Sequence, residues 1–329
     1  MAAFPNGLSL TVPDFAGANS DVDIHQEEHL GIVDAAFTSS VELLPFVDVR
    51  QVTGSNMLRL ERISSIDIQG VSRGDVILEE QFRQEKFVIE IDRMVLARVV
   101  IADMDTWTQN RDYRRDYSKQ TANKLAELFD TSVLTAAIHA QSFVPPASLG
   151  DSFKPAITVA TDVAATDITN KAADKLVAAH RSSVEQLIMR NLGSAVYQEG
   201  ITLVSPRVFS ILAQHDKLMN VQYGAAGSNS FVGSRIAMLN GVRLLETNRF
   251  PTVVNTKHQL GPQFNVTEAD LKAQMVTLIP SQSLIVAQNK ALTVKMWEDN
   301  KTMSSVIDTF HRYNVGARRP DSIAIVTLA

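Results

Sequence analysis

Phe87-Val-Ile-Glu-Ile-Asp92 is the stretch on which the fold turns. Phe87, Ile89 and Ile91 share one face while Glu90 and Asp92 take the other, the period-2 mark of a half-buried strand. The stretch lies within seventy residues, Asp75 to Val144, that contain no Gly or Pro. Further along, the period changes. From about Gln109 to Ser142, residues recur at helical spacing through Tyr113, Tyr117, Leu125, Phe129, Val133 and Ala137. A helix of ~30 residues is ~45 Å long at the standard rise, against a mean of ~11 residues. The sequence therefore predicts a strand feeding one very long helix, which spans a wide body and does not cradle a small ligand.

Towards the N-terminus, Met57-Leu-Arg-Leu-Glu-Arg-Ile63 and Asp75-Val-Ile-Leu-Glu79 read as two arms of a long hairpin joined across Gly70-Val-Ser-Arg-Gly74. The hairpin's faces are mixed and studded with Arg59, Arg62, Arg73 and Arg83. It therefore reads as too poor in apolar mass to anchor itself, and as needing a partner surface. Residues 1–30 read as an extended arm, followed by a short helix or strand from Gly31 to Val49.

Towards the C-terminus, Pro145-Pro146 and Gly150 break the chain before a helix from Asp167 to Leu192. Ile201–Ser205 reads as a short buried strand, and Pro206 suits the first turn of a helix over Arg207–Gln214. Tyr223–Phe231 is a loop of small residues, and Gly241 turns the chain into a strand over Val242–Thr247. Strands follow around Leu284–Ala287, Ala291–Trp297, Val306–Val315 and Ile323–Leu328.

The 329 residues can hold two lobes, and 45% hydrophobic content is normal for a globular protein. The absence of Cys excludes a disulfide framework, thiolate metal sites and thiol nucleophiles, and fits a reducing cytoplasm. No uncharged apolar run approaches the ~20 residues of a membrane span. The N-terminus lacks the basic region of a secretory signal. Net charge is −5, unevenly placed: residues 1–49 carry eight acids and no Lys or Arg, so the rest is weakly basic. An acidic arm and a basic body suggest contact between copies, although a solvated acidic tail fits the composition equally well. With no basic stripe and 6% aromatics, sequence-specific nucleic-acid binding is not supported.

His25-Gln-Glu-Glu-His29 matches an inverted zinc-protease pattern. It sits in an arm with few apolar neighbours, which would neither exclude water nor fix ligand geometry, and it reads as a chance match. Asp103-Met-Asp105 reads as a helix cap. Arg111, Arg114, Arg115 and Lys119 mix with Asp112 and Asp116 as a salt-bridged helix face, with inter-subunit pairing as the second reading. There is no phosphate-binding glycine loop and no nucleophile elbow, so no enzyme signal remains.

Three stretches carry a resemblance. Glu85–Asp92 on to Arg111-Asp-Tyr-Arg-Arg-Asp-Tyr117 looks like the strand and spine helix of the major capsid proteins of tailed double-stranded DNA phages. Ile201–Leu212 with Leu239–Thr247 resembles their axial domain. Phe310–Asp321, with Arg318-Arg319-Pro320, is similar to their closing peripheral strand and turn. The resemblance covers about residues 31–329, is closest to short-tailed autographivirus-type podophages, and implies the α+β Hong Kong 97-type fold. It implies an N-terminal arm (1–53), an extended hairpin loop (54–86), a peripheral domain with the spine helix (87–149 and 281–329) and an axial domain (150–280). It further implies hexamers and pentamers of the chain in an icosahedral shell, assembled in the host cytoplasm with scaffolding and portal proteins around non-specifically held DNA. No cofactor, catalytic residue, metal or membrane is expected. Inter-subunit contacts are expected from Arg59, Arg62, Arg73, Arg111, Arg114, Arg115, Arg318 and Arg319. The alternatives are an encapsulin-like nanocompartment shell and a metal-dependent hydrolase built on His25 and His29.

Overall fold

The computed structural model describes residues 21–63, 68, 70–73, 84–102, 113–146, 149, 153–215, 229–230, 235–236, 238–299, 301 and 303–329. In chain order the elements are α1 (Asp21–Ser40), β1 (Asp48–Gln51), β2 (Met57–Ile63), β3 (Gln84–Glu90), β4 (Val95–Ala102) and α2 (Tyr113–His139). β5 (Ile157–Ala160), α3 (Asn170–Met189), α4 (Gly193–Glu199), β6 (Ile201–Val204) and α5 (Pro206–Leu212) follow. Then come β7 (Asn229–Ser230), β8 (Arg235–Ile236), β9 (Met238–Leu239), β10 (Val242–Glu246) and α6 (Glu268–Leu271). β11 (Ala273–Leu278), β12 (Leu284–Asp299), β13 (Ser304–Ala317) and β14 (Ala324–Thr327) close the chain.

The chain forms two compact units, one of residues 1–41, 95–126 and 291–311, the other of 42–94, 127–290 and 312–329. In the first, β4 pairs antiparallel with β13 from Val95↔His311 to Ala102↔Ser304. Arg98 lies opposite Asp308 and donates to both its oxygens at 2.6 and 2.7 Å. Phe37 of α1 meets His311 edge-on with ring centroids 5.9 Å apart. Burial lowers the His311 pKa to about 4.

The second unit holds a six-stranded sheet in the order β5-β14-β11-β6-β10-β9. β5–β14 and β6–β10 are parallel, and the other pairings are antiparallel. α3 packs into two apolar clusters. Leu176 shares one with Val204, Val208, Leu212, Leu239 and Met275, and Val184 and Leu187 share the other with Ile157, Val196 and Val242. Local chemistry explains the element ends. The Thr169 side chain accepts from Ala172 N at 3.2 Å to cap α3, and Ser205 caps α5 with Pro206 in its first turn. Asn240 (φ 50°) and Gly241 (φ 83°) make the two-residue turn with left-handed backbone that joins β9 to β10.

The sheet buries a polar chain. Asn240 Nδ2 donates to His180 Nδ1 at 3.0 Å, which leaves Nε2–H to donate to Thr202 Oγ1 at 2.9 Å, and Thr202 meets Thr277 at 3.0 Å. Burial lowers the His180 pKa to about 4, so the ring is neutral.

Several expectations change. The partner of β2 is β3, from Met57↔Glu90 to Ile63↔Gln84, so the alternating Phe87 stretch is the hairpin's returning arm. The ladder thus runs past the boundary expected at residue 86, and the segment expected as the second arm, 75–79, lies outside the described residues. A further strand, β4, separates that arm from the long helix. Its exposed face carries Leu96 and Val100 beside Arg98, so apolar residues on both faces hide the period of two. α2 has 27 residues, ~40 Å at the standard rise, with a tight turn over Ala140–Ser142. α1 begins at Asp21, inside the stretch read as an extended arm. The two strands expected around Leu284 and Ala291 are one, β12. The cap at Asp103–Asp105 and most of the loop over Tyr223–Phe231 lie outside the described residues.

Candidate functional site

The hairpin β2–β3 sorts its side chains by parity. Leu58, Leu60 and Arg62 on β2 face inward with Ile89, Phe87 and Glu85 on β3. Arg59, Glu61 and Ile63 face outward, opposite Val88, Lys86 and Gln84, and all six are exposed. The inward face rests on an apolar cluster in which Leu58, Leu60, Phe87 and Ile89 join Val52, Ile91, Ile285 and Ala287. The expectation that the hairpin lacks apolar mass to anchor itself is corrected at its root. Strand alternation separates a seated face from a bare one, and composition summed over both faces conceals this.

The base of the hairpin is tied through backbone carbonyls. Ile91 N donates to Asn56 O at 2.8 Å, and Asn314 and Arg312 from β13 donate to Glu90 O at 2.5 Å and Ile91 O at 2.8 Å. Asn289 Nδ2 reaches Val52 O at 3.1 Å and Ser55 O at 2.7 Å.

Arg62 is only 7% exposed. Its Nη2 donates to Ala317 O at 2.9 Å and its Nε to Arg318 O at 3.3 Å. Its guanidinium lies 4.0 Å from the Phe87 ring centroid, 4.9 Å from Phe143 and 5.8 Å from Phe153. Burial lowers its pKa, and the Glu85 and Asp321 carboxylates oppose that shift. The side chain is engaged within its own chain.

The other expected contact residues divide. Arg59 and Arg73 are exposed. Arg318 reaches Asp48 at 3.8 Å, and Arg319 donates to Asp321 at 3.3 and 2.8 Å and to Gln282 Oε1 at 3.3 Å, while both remain over a third exposed. Arg111 lies outside the described residues, as do the side chains of Arg114 and Arg115 in α2. His25 and His29 fall in α1, and their side chains are likewise not described.

A second cluster escaped sequence reasoning. Asp130 of α2 is fully buried and accepts from Glu42 N at 3.0 Å and Leu43 N at 3.1 Å, with Arg249 Nε at 3.4 Å. Desolvation pushes its pKa up to about 6, helped by the like charge of Glu42 and opposed by the two backbone donors and Arg249. Thr247 donates to Glu42 Oε2 at 2.6 Å, and Tyr313 is held well above its ordinary pKa by burial, with the Asp130 carboxylate adding to the shift. The carboxylate thus clasps the segment leaving α1 onto the long helix. Both clusters had a visible signal: Arg62 shares parity with Leu58 and Leu60, and Asp130 sits between Phe129 and Leu134 on the apolar stripe.

Among the described residues no group of three or more His, Asp or Glu could hold a metal ion, and no helix is long and apolar enough to cross a membrane. What the arrangement does offer is mechanical: a seated hairpin root, a bare outer ladder and a clasped arm.

Comparison with known proteins agrees with a mechanical role. The sequence model of the family described as Gp10A-like major capsid protein matches residues 72–298. Among solved structures, a chain of the mature capsid of bacteriophage PhiM1 is 32% identical, with 88% of this chain and 87% of that chain covered and a TM-score of 0.77. The capsid of cyanophage P-SCSP1u is 18% identical, with 86% of each chain covered and a TM-score of 0.73. A virus-like particle from Pyrococcus furiosus is 9% identical, with 92% of this chain and 99% of that chain covered and a TM-score of 0.55. The last two likenesses concern the fold alone. No curated protein matches.

Proposed function

The chain belongs to the Gp10A-like major capsid protein family, and from that premise we propose that its copies gather as hexamers and pentamers around the double-stranded DNA of a short-tailed, autographivirus-type phage. It is a structural protein of the Hong Kong 97-type fold, not an enzyme, and its copies self-assemble into the icosahedral shell of the virion. The compartment shell and the metal hydrolase are not favoured. The observation that carries the reading is the 32% identity to the PhiM1 capsid chain over 88% of this one.

A scaffolding protein guides assembly in the host cytoplasm, a portal protein occupies one vertex, and the DNA inside is held without sequence preference. The functional division follows the arm at 1–53, the hairpin from 54 to the end of β3, the peripheral domain from there to 149 with 281–329, and the axial domain at 150–280. Arg59 and Arg73, exposed on the hairpin segment, contact the neighbouring copy, and Arg111, Arg114, Arg115 and the exposed parts of Arg318 and Arg319 serve the same interfaces. Polar-rimmed contacts of this kind add up through many copies, each charge pair contributing little. The test is expression of the full chain with and without its scaffolding protein, followed by negative-stain electron microscopy. Closed particles of uniform diameter are expected with the scaffold, and dispersed subunits in both preparations would overturn the proposal.

A further inference from the structure

We propose that Arg62 is the latch that fixes the angle at which the hairpin leaves the subunit, with the backbone at Gly316 as the floor beneath it. The inference rests on the capsid reading for its purpose and on the following geometry for its substance.

A ladder's direction needs two fixed points. The first is the base, where Asn56, Arg312 and Asn314 hold the backbone at Glu90 and Ile91. The second is Arg62, five residues up β2 from Met57, or ~17 Å along an extended strand. Between these points packing is incomplete. An open cleft of about 610 Å³ lies against Phe87–Glu90 and is also lined by His139, Phe143 and Gln263. Solvent-filled space beside the ladder offers no packing resistance, so apolar contact by itself leaves the ladder room to tilt.

Arg62 removes that freedom because of its shape. Two N–H groups of a planar fork point at Ala317 O and Arg318 O, consecutive carbonyls at the end of β13, and the flat cation stacks against rings from three segments. A lysine supplies the charge without the fork or the flat face. Gly316 sets the height. A Cβ there would meet Ile89 Cδ1 at 2.7 Å and Phe87 Cζ at 3.1 Å, so the hairpin's inward side chains rest directly on backbone. Any larger residue must displace the Ile89 and Phe87 side chains that seat β3.

The absence of Cys allows clean labelling of the full chain. Gln84→Cys on the exposed end of β3 and Lys171→Cys on the exposed face of α3 carry nitroxides for distance measurement in free subunits. One narrow distance is expected in the otherwise unaltered chain. Arg62→Met, which keeps an apolar side chain among the rings but drops both carbonyl bonds, is expected to broaden the distribution about twofold as the hinge is released. Arg62→Lys falls between the two. Gly316→Ala, with the latch intact, displaces the distance without equal broadening. With scaffold present, Arg62→Met gives roughly tenfold fewer closed shells, because one misdirected interface repeats in every copy.

A wild-type distance distribution in Arg62→Met and Gly316→Ala, or closed shells at wild-type yield from subunits with a broadened distribution, overturns the latch. The unaltered chain assembled in parallel separates the two ideas: failure to form shells there counts against the capsid reading, while the distances in free subunits decide the latch.

Discussion

The six-stranded sheet and the hairpin are both β structure within one compact unit, yet they are built to opposite plans. In the sheet, Ile201, Thr202, Leu203 and Val204 of β6 are all buried, because helices and neighbouring strands cover the strand completely. In the hairpin every second residue is bare, and Val88 and Ile63 are 40% and 50% exposed. The sheet contains what it needs to hold its shape. The hairpin has one seated face, held at its base and at Arg62, and presents the other outward. The difference separates stability from assembly: changes in the sheet should act on the fold, and changes on the hairpin's outer face should act on the shell.

The largest effect is expected from Leu203→Ala at the middle of β6. It should destabilise the subunit by ~2–5 kcal/mol through lost burial and a residual cavity, read from urea unfolding. A cost under ~1 kcal/mol would mean that the sheet is not the rigid partner in the comparison.

Thr202→Val is the next test. It removes the hydroxyl that meets His180 Nε2 and Thr277 at 2.9 and 3.0 Å, and should cost ~1–3 kcal/mol by leaving a buried N–H unsatisfied. Thr277→Val with Thr202 retained should cost less, since His180 keeps its acceptor. Equal costs would argue against this direction of the hydrogen-bond chain.

The pH dependence sets two buried groups against each other. Asp130 takes up its proton at about 6 in the folded chain against an ordinary 3.8, so the folded state binds the extra proton between those values. Stability from this group therefore falls as pH rises through that window and is level above it. His180 titrates at about 4 against an ordinary 6.5, so the unfolded state binds more protons and stability rises with pH over nearly the same range. Asp130→Asn should steepen that rise by on the order of 1–3 kcal/mol between about pH 4 and pH 6, measured by urea midpoints. Parallel curves for the variant and the unaltered chain would remove Asp130 from the account.

The smallest effect on the fold belongs to the hairpin's outer face. Arg59→Glu and Val88→Ser should each change subunit stability by no more than ~0.5 kcal/mol while lowering the yield of closed particles. Normal yields from both variants would take the outer face out of the proposed interface.

Sequence patterning reached the elements whose reason for being is local. The long helix was legible because Leu125, Phe129, Val133 and Ala137 repeat without a Gly or Pro, and α5 because Ser205-Pro206 announces its start. The turn at Asn240-Gly241 was legible because only such residues accept left-handed backbone readily. β1, β4 and β11 were not, since short length in β1, apolar residues on the exposed face of β4 and two-faced burial in β11 erase the alternation that marks a strand. The hairpin's partner was also missed: 57–63 alternates compatibly with both 75–79 and 84–90, and local pattern cannot choose between them.

By itself the sequence determined the class of molecule: a long unbroken helix, an arm without basic residues, no thiol and no catalytic constellation, in an order shared with phage capsid proteins. Only the tertiary structure decided which charges are for neighbours and which are for the chain itself. Arg59 and Arg62 are three residues apart and alike in composition, but strand parity turns one outward and sets the other among Phe87, Phe143 and Phe153 against the carbonyls of Ala317 and Arg318. Those partners lie up to 256 positions away. Burial and hydrogen-bond satisfaction depend on what the fold brings close, and no local pattern encodes that.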